Sequence, residues 1–226
     1  MEKYKKRYPH HYEGPQFDWP EYREVQETRE QVEHCRYEYA ALLSMCDEYL
    51  GKFLDYMDEN DMWKDTMVIV NTDHGFLLGE HDLWAKSAHP WYNETVHIPM
   101  FVWDPRHGIQ NQRRRSLVQG IDVPVTLLDF FGIEAAKDMQ GHNLEPVILE
   151  DDPVREYALF GMHGAQVNIT DGRYVYMRSP VPENKPLYNY TQMPVHMRCR
   201  FSVKEMKDMK WHPGFSFTKD TPVMQI

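Results

Sequence analysis

A long amphipathic segment near the start of the chain constrains the fold most. From Thr28 onward, apolar residues recur at steps of three or four without an intervening proline: Val32, Cys35, Tyr39, Leu42, Met45, Tyr49, Phe53 and Met57. This spacing predicts one long helix, and the polar run 58–61 predicts its end. One face of such a helix must be buried against another layer of structure.

Three apolar runs after this helix predict β-strands. Residues 66–71 are rich in β-branched side chains, residues 96–103 form a second strand, and residues 116–121 resemble an edge strand. A helix followed by a strand that is apolar on both sides is typical of a parallel sheet with helical faces. We therefore expect an α/β core.

A second helix is predicted after these strands. Asp122 is placed to cap it, Pro124 sits in its first turn and Gly132 closes it. After Pro153 the pattern changes to short strands, at residues 157–160, 166–169 and 174–177. The last two are joined through residues 171–172, an Asp-Gly pair that is a strong hairpin signal.

Length and composition are compatible with this organisation. The chain has 226 residues, of which 42% are hydrophobic and 13% aromatic, enough for one α/β domain with a small addition. We expect residues 1–150 to form the core, a mixed sheet flanked by helices, and residues 151–226 to form a small antiparallel sheet and a tail. Residues 1–26 are aromatic and proline-rich without a period, which predicts an irregular segment that wraps the core.

Charge and cysteine content exclude several classes of protein. A net charge of -10 opposes general affinity for nucleic acid. No apolar run approaches the roughly 20 residues of a spanning helix, and no signal peptide is visible, so we expect a soluble chain with neither a membrane partner nor a localisation signal. The three cysteines lack a CxxC pair and are expected to be small buried or half-buried thiols: Cys35, Cys46 and Cys199.

Asp73 and His74 directly follow the strand predicted at 66–71. In open α/β sheets ligands bind beyond the carboxyl ends of strands, so this pair stands where a site is usually built. A carboxylate is a hard oxygen ligand and an imidazole a borderline nitrogen ligand. Gly75 allows a sharp turn there. Asp and Gly are also ordinary turn formers, and a His after a strand is often a hydrogen-bonded spacer.

The loop from Phe76 to Ser87 is apolar, aromatic and charged at once, which is typical of a functional loop. Residues 66–87 resemble the signature of type I sulfatases, in which a strand ends in Asp-His or Asp-Asn, followed by Gly, then Leu-Gly-Glu-His, an aromatic residue and an active-site lysine. Further segments resemble the same family: residues 92–102, 122–133, 140–144 and 170–176. The resemblance runs from roughly residue 30 to residue 180.

This resemblance implies an alkaline phosphatase-like fold and a set of site residues. It implies that Asp73 and His74 bind a divalent cation, usually calcium, and that Lys86 contacts the sulfate. The metal and the ammonium group would together neutralise the sulfate oxygens and the charge that builds on the leaving alcohol oxygen. Three further residues are expected behind the ligands or around the substrate pocket: His81, Trp84 and His163.

Each of these neighbours also has a plainer interpretation. His81 is expected to support the metal ligands rather than to bind the ion itself, and Trp84 to pack so that the lysine is positioned. His163 points into the pocket or is a loop histidine with a backbone partner. The twelve histidines of the chain leave several without a special role, and we expect His89 and His97 to be among them.

The family's nucleophile is absent from the sequence. Family members use a formylglycine hydrate made from Cys or Ser in Cys/Ser-x-Pro/Ala-x-Arg, and two N-terminal aspartates complete their metal site; no such segment occurs here. Two protein ligands are too few for calcium, which takes about six to eight oxygens. We therefore expect this chain alone to be inactive, as a truncated sequence, a proteolytic remnant or a separately encoded half. Its partners would be a missing N-terminal half, which carries the formylglycine, and a sulfated small molecule or saccharide.

Two other functions remain open at the level of sequence. A phosphate or phosphonate ester hydrolase of the same superfamily would also use an Asp-His metal pair. A noncatalytic binding or assembly module would present a partial site and associate with a partner that supplies the rest. A zinc protein is disfavoured because the chain has neither an HExxH motif nor a Cys/His spacing for zinc.

Overall fold

A computed structural model describes residues 2–8, 23–86, 90–196 and 199–226. The helices are α1 (Glu2–Lys5), α2 (Arg29–Glu59), α3 (Asn93–Val96), α4 (Asp122–Phe130), α5 (Glu145–Glu150) and α6 (Val203–Asp208). The strands are β1 (Arg23–Glu24), β2 (Val68–Asn71), β3 (Leu77–Leu78), β4 (Leu83–Ala85), β5 (Met100–Trp103), β6 (Ala158–Gly161), β7 (Val167–Thr170), β8 (Val175–Arg178), β9 (Tyr190–Thr191), β10 (Lys210–His212) and β11 (Val223–Gln225).

Helix α2 confirms the long helix predicted from the apolar spacing. A capping box starts it, because the Thr28 hydroxyl accepts a hydrogen bond from the Gln31 amide and the Gln31 side chain accepts one from the Thr28 amide. Asn60 ends it by donating from its side chain to the Tyr56 carbonyl. Part of the expected irregular N-terminal segment is instead the short helix α1, whose Tyr4 is buried; residues 9–22 lie outside the described ranges.

Strands β2 and β5 form a two-stranded antiparallel sheet, with Val68 opposite Trp103 and Asn71 opposite Met100. The parallel arrangement predicted for these two strands is therefore wrong. A parallel pair needs a crossover, usually a helix, whereas the chain between β2 and β5 forms the β3–β4 hairpin and the four-residue α3. The strand predicted at 96–103 is also shorter, because α3 includes residue 96.

Residues 116–121 are not a strand, contrary to the prediction. The backbone amides of this segment bind carboxylates, with Ser116 donating to Asp151 at 3.0 Å and Gln119 donating to Asp122 at 2.7 Å. Asp122 is likewise not the N-cap of α4 but its first residue. Its carboxylate accepts from the His142 amide and forms an ion pair with Arg155.

The small antiparallel sheet predicted after residue 153 is confirmed. Strand β7 pairs with β6 on one side and with β8 on the other. Asp171 makes the predicted turn, since its carboxylate accepts from the Arg173 and Tyr174 amides at 2.8 and 2.7 Å. A second small sheet, β10–β11–β9, lies in the tail and was not predicted. The boundary near residue 150 stays a prediction.

The best-buried apolar cluster joins α2 to β4. Cys35, Trp84 and Ala85 form it, and four partly buried residues pack on it: Val25, Val32, Phe76 and Leu78. Cys35 is therefore buried as predicted, but Cys46 and Cys199 are exposed free thiols, so the expectation for those two is wrong. In the described part of the chain no helix combines the length and the apolar character that crossing a membrane requires.

The ion pair between Asp122 and Arg155 leads to a testable prediction. Burial raises the pKa of Asp122, but hydrogen bonds from Arg155 and from the His142 and Gln119 amides outweigh it and hold that pKa below its usual value. Replacing Asp122 with Asn leaves Arg155 buried without a counter-charge, so we expect the free energy of unfolding to fall by about 3 kcal/mol or more. Urea titration at neutral pH measures this loss, and the exposed Asp47→Asn is the control.

The pH dependence follows from the same lowered pKa. A carboxyl group whose pKa is lower in the folded state stabilises the fold above its unfolded pKa, about 3.9, and loses that contribution as the pH falls through the folded value. Below about pH 4 the difference in stability between wild type and Asp122→Asn should therefore shrink. A difference that stays constant from neutral to acid pH would contradict the assignment.

Candidate active site

Asp73 lies two residues beyond the end of β2. Its carboxylate accepts a hydrogen bond from the His74 amide at 3.0 Å and one from the Thr72 hydroxyl at 3.3 Å. Desolvation raises the pKa of Asp73, but the neighbouring His74 and these hydrogen bonds outweigh it and lower the pKa below its usual value. The side chain remains 80% exposed, so an ionised carboxylate faces solvent at this point.

His74 lies between Asp73 and Lys86. Its Nδ1 is 2.9 Å from the Gly75 carbonyl oxygen, which can only accept, so Nδ1 carries a hydrogen and Nε2 is the nitrogen available to other partners. That Nε2 is 3.0 Å from the Asp73 carboxylate and is in hydrogen-bond contact with the Lys86 ammonium group. The structure thus brings together the three residues singled out as metal and sulfate contacts.

Lys86 follows β4, a strand whose three residues are all buried. The loop before β4 is held from α2, because Arg36 donates to the Leu78 carbonyl at 2.8 Å and pairs with Glu80. Backbone φ is in the left-handed region at three residues of this loop, Gly79, His81 and Asp82, and at Ala85, the last residue of β4. Non-glycine residues in this region are strained and persist only where the surroundings hold them, which is common next to functional sites.

A close backbone contact fixes α3 against the Asp73–His74 turn. The Gly75 amide donates to the Thr95 carbonyl at 2.9 Å, and Thr95 is buried. A side chain at position 75 would have no room, because its Cβ would lie 1.8 Å from the Glu94 carbonyl oxygen. Gly75 is therefore required for this close approach of α3.

His81 contacts α3 and the residue before it. Its ring stacks on Tyr92 with centroids 3.7 Å apart, and its Nε2 lies 3.3 Å from both carboxylate oxygens of Glu94. The sequence did not single out Glu94 as a partner of His81, nor Arg36 as an anchor of the loop. Both contacts join residues more than ten positions apart, and no local spacing reports such a pairing.

The other predicted site residues lie farther from this cluster. Trp84 is 2% exposed in the core, where its indole nitrogen donates to Glu27 at 2.8 Å. His163 is exposed in the turn between β6 and β7, and His97 is exposed after α3. His89 lies outside the described ranges. Trp84 is thus a packed core residue, while its role in positioning Lys86 and the roles of His81, His97 and His163 stay predictions.

The side chains at this position are of the types that bind a divalent cation, but there are too few of them to hold one alone. Asp73 offers a carboxylate and His74 an imidazole nitrogen that face the same point. Across the described ranges, no three His, Cys, Asp or Glu side chains gather closely enough to hold a metal ion. A cation held here would therefore take further oxygen ligands from outside this group.

Two solved structures share this fold. A protein bound to its substrate D-glucosamine-2-N,6-O-disulfate superimposes with a TM-score of 0.61 and 22% identity over 69% of this chain and 34% of that one. The phosphonate monoester hydrolase of Agrobacterium radiobacter gives a TM-score of 0.60 and 21% identity over 67% of this chain and 34% of that one. At this level of identity the likeness concerns the fold, which is mixed α/β and alkaline phosphatase-like, as predicted.

Matches to two family models identify the family to which the chain belongs. The model described as Sulfatase matches residues 3–133, and the model described as N-sulphoglucosamine sulphohydrolase, C-terminal, matches residues 79–209. The first match alone covers more than half of the chain and includes Asp73, His74 and Lys86. The chain belongs to the sulfatase family.

Curated relatives carry several related names. The multifunctional alkaline phosphatase superfamily protein PehA of Trinickia caryophylli is 33% identical over 54% of this chain and 24% of its own length. Arylsulfatase K of Gallus gallus is 29% identical over 62% and 27%, and the choline-sulfatase of Rhizobium meliloti 29% over 70% and 31%. The chain therefore spans about a quarter to a third of the length of these relatives.

Replacing Gly75 tests the close contact with α3. Gly75→Ala forces the Cβ into the Glu94 backbone, so we expect the free energy of unfolding to fall by about 1–3 kcal/mol. Gly51→Ala in the middle of α2 is the matched control, because nothing lies within 4 Å of its Cβ and alanine favours a helix, which should stabilise by about 0.5–1 kcal/mol. Urea unfolding compares the two; equal stability of Gly75→Ala and wild type would contradict the contact.

Proposed function

We propose that this chain supplies the metal- and sulfate-binding wall of an active site that hydrolyses a sulfate ester. The observation that supports this most is the convergence of Asp73, His74 and Lys86 just beyond the end of β2, in a chain of the sulfatase family. In α/β folds this is where ligands bind. A metal cation and a lysine ammonium group side by side carry positive charge that attracts the negatively charged sulfate group.

Asp73 and His74 would hold the divalent metal, which we propose to be calcium. The Asp73 carboxylate is a hard oxygen ligand, and the hydrogen bond from His74 Nδ1 to the Gly75 carbonyl leaves Nε2, 3.0 Å from the Asp73 carboxylate, as the nitrogen that would bind the ion. When bound, the metal supplies a Lewis acid that withdraws charge from the sulfate oxygens. His81 would support this arrangement through Glu94, whose helix α3 is joined to Gly75.

Lys86 would bind a sulfate oxygen through its ammonium group. In this chain the ammonium group is in hydrogen-bond contact with His74 Nε2, the nitrogen that would coordinate a bound metal. With His74 Nε2 committed to the ion, Lys86 would lose this acceptor, and its ammonium group would be available to the anion. Trp84, buried two residues earlier, would position the strand from which Lys86 projects. His163 would contact the substrate from the turn between β6 and β7.

The nucleophile is expected to be a formylglycine outside this sequence, so this chain alone would not turn over. The substrate would be a sulfated saccharide or another sulfated small molecule. Support for a saccharide comes from a relative named N-acetylglucosamine-6-O-sulfatase, 30% identical over 49% of this chain, and from the solved structure with a disulfated glucosamine. Support for a small non-sugar alcohol comes from the choline-sulfatase relative.

A phosphonate or phosphate ester is the second candidate substrate class. It is favoured by the 33% identity to PehA and by the superposition on a phosphonate monoester hydrolase. A phosphonate monoester carries one negative charge, as a sulfate ester does, so the same cation and lysine would bind either group. The two candidates differ in the leaving group and in the fit of the pocket.

An assay of the chain, alone and mixed with the polypeptide encoded upstream of it, distinguishes these possibilities. Hydrolysis of an aryl sulfate, choline sulfate or glucosamine 6-sulfate in the mixture alone supports the proposed function. Hydrolysis of an aryl phosphonate in preference to all sulfates supports the second candidate. A folded mixture without hydrolysis of any of these esters would show a noncatalytic assembly module instead.

The lysine gives a quantitative prediction in that assay. Lys86→Met should lower kcat/KM by about 10²–10³, the usual effect of removing one group that stabilises charge in a transition state. Lys64→Met is the control, because Lys64 is exposed and pairs with Asp61 in the connection between α2 and β2. If both variants kept wild-type kcat/KM, Lys86 would not contact the sulfate.

A further inference from the structure

Four aromatic side chains near the C-terminus pack together at the surface. Phe215 stacks on Phe217, with ring centroids 5.2 Å apart and 4° between the ring planes, and on His212 at 4.6 Å. Tyr190 packs edge-on against Phe215 and His212, at 5.1 and 5.2 Å. We call these four residues the aromatic cluster. Phe217 is 70% exposed, so the cluster presents a flat apolar ring to solvent.

Strand pairing places Lys210 on the same face of the small sheet as the cluster. Lys210 lies opposite Gln225, and Gln225 lies opposite Tyr190, so their side chains form a row across β10, β11 and β9. Gln225 donates from its side chain to the Tyr190 hydroxyl at 3.2 Å, which agrees with this row. His212 follows Lys210 by two residues on β10 and shares its face, since side chains alternate along a strand. An exposed ammonium group therefore accompanies the rings.

The polar atoms of this face include several hydrogen-bond donors that have no protein acceptor. The Tyr190 oxygen accepts from Gln225, and the hydroxyl's own hydrogen meets no acceptor among the described residues. His212 Nδ1 accepts from the Gly214 amide at 3.3 Å, so a neutral ring carries its hydrogen on Nε2. Lys210 forms no ion pair within the described ranges. An apolar protein surface laid here would bury these donors unpaired, whereas a ligand rich in oxygen atoms would pair them.

The charge of this part of the chain also favours an anionic ligand. Residues 173–226 contain nine Lys and Arg against four Asp and Glu, although the whole chain has a net charge of -10. Two acidic residues adjoin the cluster. Asp138 accepts from the Ser216 hydroxyl at 2.6 Å and so fixes the turn that carries Phe217, and the Asp220 amide donates to the Phe215 carbonyl. A basic region on an acidic protein directs anions to that region.

We propose that the aromatic cluster and Lys210 bind a short sulfated oligosaccharide. The C–H groups on one face of a sugar ring carry a slight positive charge and lie on the negative face of the Phe217 ring, while hydroxyl and sulfate oxygens accept from Tyr190 and Lys210. A nucleic acid carries a charge at every nucleotide, which a chain of net charge -10 repels more strongly than it repels a sugar with few sulfates. The choice of a sulfated sugar rests on the proposed function.

Fluorescence anisotropy with two labelled tetrasaccharides tests this site on the chain itself. One probe carries 6-O-sulfated N-acetylglucosamine, and the other is the same tetrasaccharide without sulfate. We expect Phe217→Ala to weaken binding of both by about tenfold, the order found for one ligand ring stacked on an aromatic side chain. Lys210→Gln should weaken binding of the sulfated probe by about threefold or more and leave the unsulfated probe unchanged.

Matched variants control for exposure and for charge. Phe131→Ala removes a ring that is 69% exposed at the end of α4, and Lys64→Gln removes one positive charge between α2 and β2; both should bind as wild type does. Tyr190→Phe keeps the ring packing and removes only the hydroxyl, so it should weaken binding by about two- to tenfold without loss of stability. Thermal unfolding of each variant shows that it folds.

Each other outcome contradicts the inference. Binding that is equal in wild type, Phe217→Ala and Tyr190→Phe, or no binding at millimolar probe, would remove the site. Tighter binding of a labelled single-stranded DNA than of the sulfated probe would assign the surface to nucleic acid. Ring-dependent binding in a protein that hydrolyses no sulfate ester when assembled would refute the proposed function alone, whereas hydrolysis without ring-dependent binding would refute this inference alone.

Discussion

Burial of the short strand β4 is the constraint on which the rest of the structure depends. All three of its residues are buried, β1 and β3 pair with its two edges, and Trp84 and Ala85 pack on Cys35 of α2. This contact joins the N-terminal part of α2 to the loop that precedes Lys86. Because the strand ends at residue 85, the lysine emerges from the best-packed part of the molecule, and its position is determined by packing rather than by a flexible surface loop.

The polar cluster beyond β2 depends on that packing but is itself open to solvent. The Lys86 ammonium group and the Asp73 carboxylate both contact His74 Nε2, and the carboxylate is largely exposed. Around them the backbone is fixed by the Gly75 to Thr95 hydrogen bond and by loop residues in the left-handed region. A rigid support beneath an open, charged cluster is the arrangement expected of a site whose ligand completes it, and it suits an anion held together with a cation.

Local patterns in the sequence predicted local structure well. Four predictions depend on residues within a few positions of one another, and all four are confirmed. They are the apolar spacing of α2, its start at Thr28, the end of α4 at Gly132 and the hairpin turn at Asp171. The errors concern pairing between distant segments. The relative direction of β2 and β5 depends on pairing between residues about 30 positions apart. Segment 116–121 is bound by Asp151, and Asp122 pairs with Arg155, so neither could be assigned from nearby residues. For the same reason Glu94 and Arg36 were not recognised as supports of the site.

The central claim is that Asp73 and His74 bind a cation beside a sulfate held by Lys86. A crystal structure of the chain assembled with its upstream polypeptide, grown with calcium and inorganic sulfate, tests it most directly. The account predicts a calcium ion coordinated by the Asp73 carboxylate and His74 Nε2, with a sulfate oxygen within hydrogen-bond distance of the Lys86 ammonium group. Calcium bound without these two ligands, or a sulfate bound away from Lys86, would contradict it.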